Sequence, residues 1–190
     1  MTARRPRRRR GVLIAVAAAL AVALAAWVVL CVDVLVHPEV DEVVPVDAAY
    51  VLGPVETRIE DTRAVLDRGV APVLLATLSV DEDTGEAYAT DHCGTRTELY
   101  EVRCVLPDPY TTQGEARTLA AEVQEHGWER VAVLTSTPHA ARARMLMERC
   151  TDAEVLVWTV GDEPDGLGDW AKAFVYQSAA WVKTQLVRDC

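Results

Sequence analysis

The sequence contains no phosphate-loop lysine motif, no G-x-S-x-G elbow and no H-E-x-x-H pair. Those absences remove a Walker-type nucleotide cradle, an α/β-hydrolase nucleophile and a zincin centre. No two cysteines have the close C-x-x-C spacing of structural zinc, and no internal repeat or low-complexity tract follows the arginine-rich start. Positive charge is scarce beyond that start. Six of the 19 basic residues fall in the first ten positions, so the formal net charge of −10 becomes −16 for the remainder. A body this acidic argues against nucleic-acid binding, which needs a basic face to neutralise phosphates.

What is present begins with an uncharged apolar run from Gly11 to Val32, about 22 residues and therefore ~33 Å of helix against a ~30 Å hydrocarbon core. Arginines precede it, whereas Asp33, Glu39, Asp41 and Glu42 follow, so the positive-inside rule places the N-terminus in the cytoplasm and the rest outside. A cleaved signal peptide is the rival reading. The run stays apolar through Trp27 to Val32 with no polar stretch before a cut, which favours an uncleaved single-pass anchor in the cell membrane. The expected organisation is a basic cytoplasmic tail over 1–10, a transmembrane anchor over 11–36, a linker over 37–46 and an extracytoplasmic domain over 47–190. At 190 residues the chain accommodates one domain with a substantial core.

Cysteine usage agrees with export. Cys31 lies in the apolar run, which leaves Cys93, Cys104, Cys150 and Cys190. Four cysteines allow three pairings; the favoured one is Cys93–Cys104, closing a local loop, with Cys150–Cys190 tying a helix end to the C-terminus. Zinc is the weaker alternative, and the sequence calls for no metal and no cofactor.

Strand and helix patterns alternate through the domain. Apolar runs at 47–52, 72–78, 102–106, 131–134 and 154–160 read as buried strands. Helical patterns follow at 56–68, 112–126, 138–150 and 169–187. Residues 79–101 are polar and acidic, and read as a surface lid or a short element without a clear pattern. The alternation predicts an α/β fold: a three-layer Rossmann-like sandwich with a mostly parallel sheet, preceded by one N-terminal transmembrane helix. In such sheets ligands lie beyond the carboxyl ends of the strands, where Gly53, Ser79, Thr112, Ser136 and His139 all fall.

The stretch from Val131 to Cys150 concentrates the candidates. Thr137 is placed to cap a helix opened by Pro138. His139 and Arg142 then share one face of the first turn, where the positive end of the helix dipole repels an arginine. Arg142 is expected to meet Glu115 or a ligand anion, and His139 to stay neutral and able to accept a proton. Glu115 stands three residues after Thr112, a T-x-x-E capping box, so it either caps its helix or offers a carboxylate at the pocket mouth. Arg58 repeats the cationic anomaly after Gly53-Pro54, with Glu56 and Asp61 as local partners. Arg144 is satisfied by Glu148 four residues on, and His126, before Gly127, matches the dipole at a helix end. His37 and His92 have no neighbours that demand chemistry.

Leu52-Gly53, Arg58, T-x-x-E-A at Thr112 to Ala116 and T-S-x-x-H-x-x-R-A at Thr135 to Ala143 together resemble the YdcF-like family, which includes the SanA- and ElyC-type envelope proteins. The resemblance covers roughly Asp47 to Trp158. It implies a Rossmann-like domain behind a single anchor, a role in bacterial envelope or peptidoglycan-precursor metabolism, and a pocket shared by Thr112, Glu115, Ser136, His139 and Arg142. Pro54 stands where the family has a second glycine, Val80 where a glycine follows Ser79, and Pro138 where an aromatic precedes the histidine.

The expected function is a membrane-anchored extracytoplasmic enzyme, a hydrolase or transferase acting on an anionic, phosphate-bearing or lipid-linked envelope metabolite. Arg142, with Arg58 and Gly53 beside it, would hold the anion; His139 or Glu115 would move the proton; Ser136 and Thr112 would supply hydrogen bonds. A non-catalytic ligand-binding or assembly module of the envelope is the alternative.

Overall fold

A computed structural model describes residues 5–81, 83–161 and 163–190. The chain opens with helix α1 (Arg5–Cys31), prolonged by a π-helical turn over Val32–Val36. The segment Arg10–Val36 is long and apolar enough to cross a membrane, with a mean hydropathy of 2.8 over its most apolar window, none of which is buried by the rest of the chain. Its far end behaves differently. Cys31 and Leu35 are buried against the domain, so the helix is docked where it leaves the apolar run.

The segment expected to be a linker is strapped to the domain. Asp41 N–H donates to the Val157 carbonyl at 3.0 Å, and Asp41 Oδ2 accepts the Val157 N–H at 2.7 Å. Arg144 clamps the same carboxylate at 2.6 Å, and Trp158 Nε1 donates to the Glu42 carbonyl. Glu148 is more distant from Arg144, at 3.8 Å, so the principal partner is the strap rather than the helix neighbour read from the sequence.

The domain then runs β1 (Ala48–Val51), α2 (Ile59–Leu66), β2 (Val73–Thr77), β3 (Ser79–Val80), β4 (Ala87–Tyr88), β5 (Glu101–Val105), α3 (Thr112–His126), β6 (Arg130–Thr135), α4 (Ala140–Cys150), β7 (Glu154–Thr159) and α5 (Leu167–Leu186). Five strands form one sheet in the order β5-β2-β1-β6-β7, every pair parallel. The mostly parallel sheet expected is therefore wholly parallel; among the described residues, antiparallel pairing occurs in the small β3–β4 hairpin and in an isolated bridge between Arg96 and Glu101. The central strands are apolar without alternation because both of their faces are covered; all four residues of β1 are buried.

Alternate side chains feed two cores. Val51, Val55, Leu66, Leu74 and Trp158 pack on one face, and Tyr50, Leu75, Leu119, Val133 and Met147 on the other. Each fully buried Leu or Val contributes roughly 1.5–3 kcal/mol relative to exposure. Both favoured disulfides are present: Cys93–Cys104 pins the 79–101 excursion to β5, and Cys150–Cys190 ties the end of α4 to the C-terminus.

Strands are added outward from β1 in one direction through β2 and β5, then in the other through β6 and β7. That reversal opens a crevice beyond the carboxyl ends of β1 and β6, the position where open α/β sheets take ligands.

Candidate functional site

Two threonine hydroxyls and one glycine backbone N–H stand at or beside the carboxyl ends of the central strands. Thr77 ends β2, Thr135 ends β6, and Gly53 follows β1 by two residues. Thr77 and Thr135 close otherwise apolar runs, and each binds one of the candidate groups.

Glu115 is buried, 6% exposed, and crosses from α3 to the end of β1. Its Oε1 accepts the Gly53 N–H at 2.8 Å and the Thr77 hydroxyl at 3.0 Å. The Thr77 hydroxyl also lies 3.0 Å from the Tyr50 hydroxyl. One proton serves one acceptor, and the carboxylate only accepts, so Tyr50 is left to donate to Thr77. Both bonds fall on Oε1, which leaves Oε2 for the cleft that Glu115 lines. Burial raises the Glu115 pKa above its ordinary value, against the pull of the Gly53 and Thr77 hydrogen bonds and of Arg58 and Arg142.

The capping box is displaced by one residue. The N-cap of α3 is Thr111, whose hydroxyl accepts the Gly114 N–H at 3.2 Å; Thr112 is the first helical residue. Glu115 therefore does not cap its own helix, and Thr112 keeps its hydroxyl for the site. Gly114 is required here for a different reason: a Cβ on it would overlap the Pro109 carbonyl oxygen, so only glycine lets α3 start against that loop.

His139 is buried, 8% exposed, in a 3₁₀ turn (Thr137–His139) that precedes α4. The turn has no side-chain cap, so Thr137 does not play the capping part expected of it. Burial holds the His139 pKa well below its ordinary value, with Arg142 and then Arg58 adding to the effect. Desolvation and the two guanidiniums favour the neutral form of the ring.

Its two nitrogens face two threonines: Nδ1 lies 2.8 Å from Thr135 Oγ1, and Nε2 lies 3.3 Å from Thr112 Oγ1. The buried Thr135 hydroxyl has no other side-chain acceptor among the described residues. Hydrogen-bond satisfaction assigns its proton to Nδ1 and places the ring proton on Nε2, donating to Thr112. Arg142 Nη1 donates to the same oxygen at 3.2 Å. Thr112 thus accepts twice, and its own proton is turned out to the cleft. Only the opposite tautomer, with the ring proton on Nδ1 toward Thr135, would leave Nε2 as a base with Thr112 as its donor.

Arg142 is half-buried. Its Nε donates to Gln177 Oε1 of α5 at 2.9 Å. No carboxylate among the described residues comes within 4.0 Å of it, Glu115 included. A guanidinium so placed retains N–H groups for an anion. Arg58 is otherwise occupied. Its Nη1 donates to the carbonyls of Leu52 at 2.9 Å and Gly53 at 2.6 Å, and its Nη2 to Ser136 Oγ at 3.3 Å. It fixes the end of β1 and orients Ser136, and adds positive charge at a short remove.

Two adjoining clefts meet at Thr112. One, of about 700 Å³, is lined by Arg142, Tyr176 and Lys183; the other, of about 620 Å³, by Gly53, Tyr88 and Glu115. Tyr110, Thr111, Thr112 and Tyr176 line both. The β3–β4 hairpin borders the second cleft, hooked to Glu56, which accepts from the Ser79 hydroxyl and from the Tyr88 hydroxyl at 3.0 Å. Partial burial pushes the Glu56 pKa upward, but the hydrogen bonds from Ser79 and Tyr88 and the charge of Arg58 outweigh it, and Glu56 ends below the usual carboxylate range.

The structure thus brings together Thr112, Glu115, Ser136, His139, Arg142, Arg58 and Gly53. It adds Thr77, Thr135, Tyr110 and Gln177, which sequence reasoning missed. A threonine closing an apolar strand and a glutamine in the apolar face of α5 were the visible traces of three of them. Elsewhere, His92, Cys93 and Cys104 bring potential metal ligands within 4.8 Å of one another, but the cysteines are joined in a disulfide and offer no thiolate.

No family model, curated protein or solved structure matches the chain. The site has to be read from its own chemistry.

Proposed function

We propose that residues 47–190 form an extracytoplasmic domain that α1 holds to the cell membrane, and that its cleft binds an anionic, phosphate-bearing envelope metabolite. The observation that carries this reading is Arg142: a half-buried guanidinium in a cleft, fixed by Gln177 and Thr112, with no carboxylate partner among the described residues. The Thr112 proton points to the same space. The cleft that holds Arg142 is also lined by Lys183 and by no carboxylate among the described residues, whereas the domain around it is acidic.

The reading extends to catalysis by hydrolysis or group transfer. A carboxyl group with a raised pKa and a neutral imidazole are two titratable groups whose environments move them toward opposite duties, donor and acceptor. Glu115 Oε2 would give a proton at the cleft; His139, in the tautomer with its proton on Nδ1, would take one on Nε2 as Thr112 passes on its own proton and receives another from the cleft. The resemblance to the YdcF-like family supports the envelope role, and the two disulfides and the docked end of α1 support an uncleaved anchor and an oxidising compartment.

The test uses the full chain in detergent micelles, incubated separately with inorganic phosphate, pyrophosphate and farnesyl diphosphate. Thermal unfolding reads binding, and released phosphate reads turnover. A ligand at about a hundredfold its Kd adds ~2.7 kcal/mol, roughly 5–10 °C for a domain of this size. Stabilisation with release supports the enzyme; stabilisation without release by any of the three supports a binding module; neither response to any of them overturns the reading.

A further inference from the structure

The outer surface of α5 is apolar where a helix covering an α/β domain is ordinarily polar. Ala171, Val175, Ala179, Val182 and Leu186 recur at the three- and four-residue spacing of one helical stripe, and all five are exposed; Val175 is 62% and Leu186 80% accessible. The stripe has sharp borders. One side carries the exposed Asp169, Lys172, Tyr176 and Lys183. The other is the side that meets α1: Trp27 packs edge-on against Phe174 at 6.4 Å, its Nε1 donates to Ser178 Oγ at 2.9 Å, and Cys31 touches the same serine. The exposed stripe therefore continues the contact with α1 around the helix.

The height of that contact is fixed by α1. Seventeen residues separate Arg10, at the basic end of the apolar run, from Trp27, roughly 25 Å of helix. A hydrocarbon core of about 30 Å entered near Arg10 then ends within a turn or so of Trp27, the level where tryptophan is favoured. The two helices meet at this one crossing and do not run side by side. The domain cannot swing away on a loose tether either, because Cys31 and Leu35 are buried in it and Asp41 straps the following segment to β7 and Arg144.

We propose that α5 lies along the extracytoplasmic surface of the membrane that α1 crosses, with its Val175–Val182–Leu186 stripe in the acyl boundary and Lys172 and Lys183 reaching for headgroups. This rests on reading α1 as an uncleaved anchor. Interfacial helices have this division into an apolar stripe and a lysine-bearing edge, and lysine stems extend along apolar surface while the ammonium stays hydrated. The bilayer is the occupant because the stripe adjoins the anchor at the depth where the hydrocarbon ends. The cleft holding Arg142 uses α5 as a wall, through Tyr176, Ala179 and Lys183, so it opens beside the lipid surface.

The test is nitroxide accessibility in the full chain, reconstituted at one copy per nanodisc in a Cys31→Ala background. Single labels go in through Val175→Cys and Val182→Cys on the stripe, Lys172→Cys on its polar edge and Ala18→Cys in mid-anchor. The expected result is severalfold greater relaxation by oxygen than by a water-soluble nickel chelate at 175, 182 and 18, and the reverse at 172. Nickel exposure at 175 and 182 with oxygen preference at 18 overturns the α5 placement and leaves the anchor standing. Nickel exposure at 18 as well overturns both. In vesicles at high loading, dipolar broadening between labels at 182, with neither collider reaching them, would show a second copy covering the stripe and also overturn the placement.

Discussion

The Thr112 hydroxyl lies 3.3 Å from His139 Nε2 and 3.2 Å from Arg142 Nη1, at the junction of two clefts. It touches both the His139 ring and the Arg142 guanidinium, which has no carboxylate partner among the described residues. Replacing it by the isosteric Thr112→Val removes the acceptor without emptying space. Arg142 then loses one of its two side-chain anchors, and His139 Nε2–H loses its acceptor in a buried place. The expected cost is about 1–3 kcal/mol of stability, a fall in Tm of roughly 2–12 °C by calorimetry.

His139 predicts an acid response. Its folded pKa lies well below 6.5, so below about pH 6.5 the unfolded chain binds a proton that the folded chain refuses. Stability carried by this group is complete above that pH and is lost progressively as pH falls toward the folded pKa. In His139→Gln the contribution disappears. Urea unfolding between pH 7 and pH 5 should show a shallower loss of stability in the variant than in the wild type, and parallel curves would contradict the assignment.

Glu115 has the opposite sense. Its folded pKa is raised, so the folded chain holds a proton that the unfolded chain has already released, and stability falls as pH rises from about 4.5 through the folded value. Glu115→Gln keeps an oxygen for Gly53 and Thr77 and removes the buried charge. The variant should equal or exceed the wild type in Tm at pH 8, lose that advantage at pH 4, and lose turnover if Glu115 is the proton donor. A large loss of stability at pH 8 would mark the carboxylate as a structural tie.

Gly114→Ala tests the start of α3 and, through it, the placing of Thr112 and Glu115. The added methyl meets the Pro109 carbonyl oxygen, which is backbone and cannot rotate away. Overpacking of this kind costs about 1–3 kcal/mol, and circular-dichroism melting should show a Tm lower by roughly 2–12 °C.

The Cys150–Cys190 bridge closes a separation of 40 residues and secures the C-terminal end of α5. Removing it through Cys150→Ser and Cys190→Ser together should cost about 2–4 kcal/mol, read by denaturant unfolding of the oxidised chain. No change on reduction of the wild type would show that the bridge does not carry that stability.

Local chemistry made most of this fold legible. Val131 to Leu134, four apolar residues in a row, announce a strand buried on both faces, and the turn after it places His139 and Arg142. The disulfide pairing followed from loop economy. What escaped was tertiary. The sequence offers T-x-x-E at Thr112, but the cap falls on Thr111, because the Pro109 loop fixes where α3 begins and sends Glu115 across to Gly53. Residues 37–46 look like a tether, since nothing in their composition shows that Asp41 pairs with Val157 and Arg144 more than a hundred positions away. Arg58 looks like a ligand contact until the carbonyls of Leu52 and Gly53 are seen to occupy it. Gln177 is hidden for the same reason: a partner for Arg142 is recognisable only once α5 is folded over the site.

The central claim is that Arg142 holds an anion. The direct measurement is isothermal titration of pyrophosphate into the full chain in micelles, for the wild type and for Arg142→Ala. A hydrogen-bonded charge contact is worth about 1.5–3 kcal/mol, so the account predicts measurable binding by the wild type and an affinity lower by roughly 10- to 150-fold in the variant, with its Tm little changed. Equal affinities, or a wild type that binds no pyrophosphate at all, would contradict it.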